Sequence, residues 1–83
     1  MPTPKSMSTD SLVVRNRIRV LRFEAGEMTQ QGLAERVGVS RQTINAVEAA
    51  KYAPSLEVAF RIARVFDKPI GEVFFVEDGA TPG

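Results

Sequence analysis

A three-residue connection, Gly38-Val39-Ser40, constrains the fold of this chain most strongly. It separates two segments with helical spacing of apolar residues, which predict helices from Gln30 to Val37 and from Arg41 to Ala49. A link this short is too tight for an antiparallel hairpin and forces the helices to cross sharply. Ala34, four residues before the glycine, leaves room for the following helix to approach closely. The stretch from Thr29 to Ala49 therefore predicts a helix-turn-helix.

Hydroxyl side chains mark the starts of three predicted helices. Thr29 precedes the second helix, Ser40 the third, and Ser55 a fourth helix from Leu56 to Phe66. Each hydroxyl is expected to accept a hydrogen bond from a backbone N–H of the first turn. Helical spacing predicts that the fourth helix turns these residues inward: Leu56, Ala59, Ile62, Ala63 and Phe66.

Glycine and proline set the limits of the first and last helices. The first runs from about Asn16 to Ala25 and ends at Gly26, because glycine adopts a left-handed backbone without a Cβ penalty. Pro69 suits the start of a short fifth helix from Ile70 to Phe74, where a missing N–H costs nothing. The prediction is an all-α, five-helix domain.

Two short apolar runs depart from the helical pattern. Leu12-Val13-Val14 and Phe74-Phe75-Val76 have the β-branched and aromatic residues typical of strands, although continuation of the helical core is an equal alternative. A two-stranded ribbon is marginal alone, so if it forms we expect it to pair or pack across a dimer. Residues 1–10 are predicted to be a flexible arm, 11–77 the folded domain with a C-terminal dimerisation segment, and 78–83 a flexible tail.

The third helix has one polar and one apolar side. At about 100° per residue, Arg41, Gln42 and Asn45 fall on one arc, with Ile44 and Val47 on the other. Arginine, glutamine and asparagine side chains match the edges of guanine and adenine in the major groove. Taken singly, each is an ordinary exposed polar group. Their joint occurrence on a helix-turn-helix predicts a DNA-reading helix.

The composition favours binding over catalysis. The chain has no His, Cys or Trp, which argues against histidine bases, thiol nucleophiles, disulfides and the usual metal or haem sites. Its carboxylates are scattered, so no nucleophile–base pair can be drawn. We therefore expect no enzyme activity, cofactor, metal or small-molecule ligand. With no signal peptide and no long apolar run, we also expect no membrane contact and a cytoplasmic location.

The formal net charge of +1 conceals an uneven distribution. From Arg15 to Arg64 there are nine basic and five acidic residues, whereas from Asp67 onward four acidic residues accompany one basic residue. A two-fold dimer would present two basic faces to double-stranded DNA and keep its acidic ends away. Affinity for DNA is then expected to fall as the salt concentration rises, because binding releases counterions.

The stretch from Gln30 to Asn45, followed by Lys51-Tyr-Ala-Pro-Ser-Leu-Glu57, resembles the lambdoid Cro/repressor-type helix-turn-helix family, the xenobiotic-response-element class of bacterial regulators. The resemblance covers roughly residues 16–76. With the ending Glu72-Val-Phe74, it is similar to a subgroup of very small single-domain regulators. It implies a five-helix, lambda-repressor-like domain that binds palindromic operators as a homodimer, with a β ribbon formed by the termini.

The resemblance also implies roles for individual residues. Arg41 and Gln42 would read bases, and Asn45 would touch a base edge or a phosphate. For Thr43 and Tyr52, a packing role is an equal alternative to a DNA contact. The implied phosphate contacts are Thr29, Gln30, Thr43, Lys51 and Tyr52.

The same family pattern pairs Arg22 with Glu48 as a partly buried ion pair between the first and third helices. This pairing accounts for an acid at the edge of an otherwise apolar face. Dimerisation is assigned to the two apolar runs, that is to Leu12, Val13, Val14, Phe74, Phe75 and Val76.

Three positions depart from the family pattern. Gly32 replaces an acidic residue, so the capping box is lost and the helix is weakened by about 1 kcal/mol. Ala50 replaces a glycine, which costs about 1 kcal/mol if the backbone there is left-handed. Glu27 is an additional residue in the turn before Thr29, which leaves the placement of Arg22 open.

The leading hypothesis is a sequence-specific, homodimeric transcriptional regulator that represses by occluding a palindromic operator. One alternative is an antitoxin or restriction–modification controller that binds DNA and a protein partner. Another is a protein-interaction module that keeps the fold without DNA binding, because fold alone does not prove function.

Overall fold

The computed structural model describes residues 12–78, a five-helix domain closed by a two-stranded antiparallel ribbon. The prediction of five helices is confirmed, and the two apolar runs are strands. The predicted arm, residues 1–10, lies outside the described residues, as does the predicted tail apart from Asp78. The elements in chain order are β1 Leu12–Asn16, α1 Ile18–Glu24, α2 Gln30–Val37, α3 Arg41–Glu48, α4 Leu56–Val65, α5 Ile70–Val73 and β2 Phe74–Asp78.

All five helices meet in one hydrophobic core. Each contributes a branched aliphatic side chain with no solvent exposure, which removes apolar surface from water at every helix contact. Ala34, on α2, is also fully buried, so nothing larger than a methyl group separates α2 from its neighbours there. These side chains, one from each helix in chain order, are Ile18, Leu33, Ile44, Ile62 and Val73.

The turn between α2 and α3 has the tight geometry that the sequence predicts. Gly38 has a left-handed backbone, with φ of 89°, and its N–H donates to the carbonyl of Ala34 at 2.8 Å. The N–H of Val39 donates to the same carbonyl at 3.1 Å. The Val39 side chain is partly buried and packs against the hydrophobic core. These contacts fix the direction in which α3 leaves the turn.

Local signals at the helix ends are mostly confirmed. Thr29, Ser40 and Ser55 each accept a hydrogen bond from the backbone N–H three residues later, as N-caps. Gly26 has φ of 88° and follows the end of α1. Four predicted helices are one residue too long at their C-terminal ends, because their last residues are caps with non-helical backbone: Ala25, Ala49, Phe66 and Phe74.

The prediction that Leu56 points inward is wrong. Its side chain is 68% exposed, although Ala59 and Ile62 on the same helix are buried. Helical spacing puts Leu56 at the edge of the apolar stripe of α4, next to the exposed Phe60. Phe60, one turn further along α4, is 53% exposed, so this edge of the helix is not covered by the described residues.

The ribbon joins the two ends of the described chain. β1 and β2 pair antiparallel within one molecule, with Val14 opposite Val76 and Asn16 opposite Phe74. At its base, the N–H of Arg17 donates to the carbonyl of Val73 at 2.9 Å, which ties the ribbon to α5. The ribbon therefore extends from the helical core and is fastened to it at one end.

The backbone at Ala50 yields a test of stability. Ala50 has φ of 60°, a conformation that costs an L-residue with a Cβ about 1–2 kcal/mol. We expect Ala50→Gly to raise the free energy of unfolding by about 0.5–1 kcal/mol, because part of the gain is offset by the greater freedom of glycine in the unfolded chain. Urea denaturation measures this change.

The neighbouring Ala49 is the matched control. Its φ is −80°, which alanine adopts without strain, so Ala49→Gly should lower the free energy of unfolding by roughly 0.5–1 kcal/mol. Equal effects of the two substitutions would contradict the assignment of strain to Ala50.

Candidate nucleic-acid interface

The exposed side of α3 carries the three predicted base readers. Arg41 and Gln42 lie in the first turn of the helix and Asn45 one turn later, and all three side chains are exposed. On the opposite side, Ile44 and Val47 are buried in the core. The core therefore fixes the rotation of α3 and directs this polar side outward.

A chain of side-chain hydrogen bonds links the first three helices behind that surface. Nη2 of Arg22 donates to Oε1 of Glu48 at 3.0 Å, while its Nε donates to the other carboxylate oxygen. Nε2 of Gln30 donates to the same Oε1 at 3.2 Å, and Nδ2 of Asn45 donates to Oε1 of Gln30 at 3.3 Å. One network thus connects α1, α2 and the reading side of α3.

The ion pair at the centre of this network is shielded from solvent. The side chain of Glu48 is 9% exposed and that of Arg22 is 16% exposed. Nη1 of Arg22 also donates to the carbonyl of Met28 at 2.7 Å. The additional residue, Glu27, is exposed and adopts φ of 61°, directly after the left-handed Gly26. The turn accommodates the extra residue, and Arg22 still reaches Glu48.

The predicted phosphate contacts lie at the start of α2 and in the loop after α3. The Thr29 hydroxyl accepts from the N–H of Gly32 at 2.8 Å, and Gln30 is half-buried. Lys51 and Tyr52 are exposed in the loop between α3 and α4, with the tyrosine 52% exposed. Both groups of residues flank the reading side of α3 in the chain.

Thr43 is placed differently from the other predicted contacts. It is half-buried, and its hydroxyl lies 3.0 Å from the hydroxyl of Ser40, with which it shares a hydrogen bond. The same Ser40 hydroxyl accepts from the Thr43 N–H at 3.1 Å. The side chain of Thr43 therefore takes part in the cap of α3.

Sequence reasoning missed the role of Asn16. Its Nδ2 donates to the carbonyl of Val47 at 2.8 Å, and its Oδ1 accepts from the N–H of Ile18 at 3.1 Å. One side chain thus satisfies backbone groups at the end of α3 and at the start of α1. An asparagine directly before a helical apolar pattern is a capping signal that could have indicated half of this role.

In the described part of the chain, two basic side chains on the surface are paired with neighbouring acids, whereas Arg41 on the reading helix and Lys51 in the loop after it are not. Arg15 pairs with Glu77, and Arg61 pairs with Glu57 one turn away. Arg41 makes no ion pair with the residues described here, 12–78, and Lys51 makes none either. Their positive charge is therefore available to an anionic partner.

Two further features concern only the described part of the chain. Residues 12–78 contain no group of three His, Cys, Asp or Glu side chains placed to hold a metal ion. Across the same range, none of the helices combines the length and the apolar character needed to cross a bilayer.

The Arg22–Glu48 pair yields a test of stability. Glu48→Ala would leave the shielded Arg22 charge without its partner, so the free energy of unfolding should fall by about 3 kcal/mol. Urea or thermal denaturation measures the loss. The matched control is Glu57→Ala, which removes the exposed acid of the Arg61 pair and should cost less than about 1 kcal/mol. Similar losses for the two variants would contradict a structural role for Glu48.

Comparison with known proteins agrees with this geometry. The helix-turn-helix family model matches residues 21–73, from within α1 to the end of α5. A protein of Archaeoglobus fulgidus named as an uncharacterized HTH-type transcriptional regulator is 49% identical over 65 residues, covering 78% of this chain and 91% of its own length. A protein of the same description from Methanothermobacter thermautotrophicus is 52% identical over 69 residues, which cover 81% of this chain and 99% of that protein. One from Methanocaldococcus jannaschii is 45% identical over 65 residues, which cover 78% of this chain and 97% of that protein.

Proposed function

The chain belongs to the Cro/C1-type helix-turn-helix family and is a DNA-binding transcriptional regulator rather than an enzyme, and from this we propose that it is a repressor that binds a palindromic operator as a homodimer. The observation that carries the proposal is the exposed polar side of α3, held in place by the buried Ile44 and Val47 and by the network through Glu48. We expect such a protein to act in the compartment that holds the DNA, which we predict from the sequence to be the cytoplasm.

Base reading is assigned to the start of α3. In the major groove, the guanidinium of Arg41 can donate two hydrogen bonds to O6 and N7 of guanine, and the amide of Gln42 can pair with N6 and N7 of adenine. Asn45 lies one turn deeper and is hydrogen-bonded to Gln30. It would touch a base edge or a phosphate at the margin of the groove.

Phosphate contacts would orient α3 within the groove. Thr29 and Gln30 approach the DNA backbone from the start of α2, and Lys51 and Tyr52 approach it from the loop after α3. Contacts on both sides of a reading helix fix its register but carry no sequence information. The half-buried Thr43 would contribute mainly through the cap that it forms with Ser40.

The network behind the reading surface supports specific binding. Because Glu48 holds both Arg22 and Gln30, and Gln30 in turn holds Asn45, α2 and α3 present their polar groups in one arrangement before DNA arrives. A preorganised surface loses less conformational entropy on binding than a mobile one.

The ribbon is the proposed dimer contact. One of its faces carries the Arg15–Glu77 pair and Phe75, over which the Arg17 guanidinium lies at 5.7 Å, so the polar groups there are already partnered. The other face carries Val14 opposite Val76, and Val76 is 55% exposed. A two-stranded ribbon is marginally stable by itself, and burial of this aliphatic face against a second copy would stabilise it.

Dimerisation and repression would be linked. Isologous contact between two ribbons relates the two α3 helices by a two-fold axis, and a two-fold protein matches a palindromic site. A dimer bound over a promoter blocks access of the polymerase, so repression needs no contact other than those with DNA. Of the other dimer residues proposed from the sequence, Val13 and Phe75 lie on the opposite face of the ribbon and Phe74 packs against the hydrophobic core. The Leu12 side chain lies outside the description.

Selection of bound sequences from random duplex DNA tests the readers. We expect the wild-type chain to enrich a palindrome, and Arg41→Ala and Gln42→Ala each to lose one base preference per half-site, worth about 1–3 kcal/mol. Gln31→Ala, which removes an exposed glutamine hydrogen-bonded to Glu35 on α2, is the matched control and should leave the enriched site unchanged.

Two outcomes of this selection would count against the proposal. The absence of any enriched palindrome for the wild-type chain would contradict sequence-specific regulation by a dimer. An enriched site that survives both Arg41→Ala and Gln42→Ala without change would show that other residues read the bases.

The dimer contact is tested by a charge on the apolar face of the ribbon. Val76→Glu should shift the chain from dimer to monomer in analytical ultracentrifugation, because a carboxylate would be buried without a partner at the interface. Phe60→Glu, which alters a similarly exposed apolar residue on α4, should leave the dimer intact. Helical circular dichroism checks that both variants fold. A dimer that persists in Val76→Glu but dissociates in Phe60→Glu would contradict the ribbon contact and show that the interface lies on α4.

A further inference from the structure

An arginine on α1 stands beside the reading surface without an assigned role. Arg19 is exposed and lies three residues before Arg22, so the two side chains emerge from the same side of α1. That side faces α3, because Arg22 binds Glu48. A shallow surface cleft lies there. Its lining residues come from α1, α2 and α3, together with the residue that caps the end of α3: Arg19, Arg22, Gln30, Asn45, Glu48 and Ala49.

The two arginines of this cleft differ in whether their charge is neutralised by a neighbour. The Arg22 guanidinium is taken up by both oxygens of Glu48 and by the carbonyl of Met28. The side chain of Arg19 makes neither a hydrogen bond nor an ion pair with any residue in the described range. Within the cleft, Arg19 is therefore the cation whose charge is not neutralised by a neighbour.

The neighbouring Gln30 cannot neutralise a phosphate alone. Its Oε1 accepts from Asn45 and one N–H of its Nε2 is directed to Glu48, so a single N–H remains for another partner. An amide N–H also carries no net charge, and the carboxylate of Glu48 lies in the same cleft. A phosphate that approaches Gln30 thus needs a cation at the rim of the cleft, which is where Arg19 lies.

We propose that Arg19 binds a backbone phosphate at the edge of the major groove read by α3, so that α1 takes part in docking together with α2. This inference rests on the proposed function, since it requires α3 in the groove. With α3 there, the cleft would face the sugar-phosphate strand that borders the groove, because its lining includes Asn45 on the reading side of α3 and Gln30, a proposed phosphate contact. The planar guanidinium can give a phosphate two parallel hydrogen bonds, which fixes orientation as well as supplying charge.

Salt dependence of binding separates this role from base reading. With the selected operator, the slope of log K against log salt concentration should become shallower by about 0.9 in Arg19→Ala, and affinity at 0.1 M salt should fall by roughly tenfold. The ranking of operator variants should not change, because a phosphate contact carries no base information. Arg19→Lys should keep the slope and lose only part of the affinity, since it retains the charge and loses the fork.

Arg64→Ala is the matched control. Arg64 is also an exposed arginine without an ion pair among residues 12–78, but it borders a different depression, with Phe60 and Pro69. Its loss should leave the slope at the wild-type value. Because both arginines are exposed, thermal unfolding should show that both variants fold as the wild-type chain does.

The outcomes distinguish this inference from the proposed function. A wild-type chain that binds no DNA would overturn both. A wild-type chain that binds with a steep salt dependence, together with an Arg19→Ala slope equal to that of Arg64→Ala, would overturn the Arg19 contact alone. A change in base preference in Arg19→Ala would also overturn it, because Arg19 would then be a reader.

Discussion

The ion pair between Arg22 and Glu48 is the interaction on which the DNA-binding surface depends. It is the point where α1 and α3 are joined by charge, and Glu48 also accepts from Gln30 at the start of α2. Both partners are largely shielded from solvent, so the loss of either would leave the other charge shielded and without its partner, which is destabilising. The apolar core sets how α3 is rotated, and this pair, with the hydrogen bonds attached to it, sets where the polar side chains of three helices lie relative to each other. A stable arrangement of that kind is what a surface needs in order to read bases without reorganising.

The ribbon connects the DNA-binding surface to the proposed dimer contact. Asn16 and Arg17 attach its base to the ends of α3 and α5 through hydrogen bonds to Val47 and Val73. Movement of the ribbon would therefore be transmitted to the elements that carry the readers. In the proposed dimer, contact through Val14 and Val76 determines the separation of the two α3 helices. The spacing of operator half-sites would then be a direct consequence of ribbon geometry.

Local chemistry explains which parts of the fold could be predicted from the sequence. The three hydroxyl caps and the Gly38 turn depend on residues within four positions of each other, and they were predicted at the correct positions. The first helix begins at Ile18, two residues later than predicted, because Asn16 ends β1. The inward placement of Leu56 was wrong because this residue lies at the edge of the apolar stripe, beside the exposed Phe60, and periodicity does not indicate what covers that edge. The choice between strand and helix for the ribbon stayed open because pairing joins residues about 60 positions apart. The two contacts of Asn16, and the link of Gln30 to both Glu48 and Asn45, depend on the crossing of helices and could be seen only in the structure.

The central claim is that two copies of α3 read one face of DNA through the major groove. Methylation interference on the selected operator tests it directly, because a methyl group at guanine N7 projects into that groove. The account predicts interference at guanines in two symmetric half-sites whose centres are about one helical turn, or 10 bp, apart. Interference confined to one half-site, or binding that is indifferent to methylation of every guanine in an operator that Arg41 is needed to recognise, would contradict it.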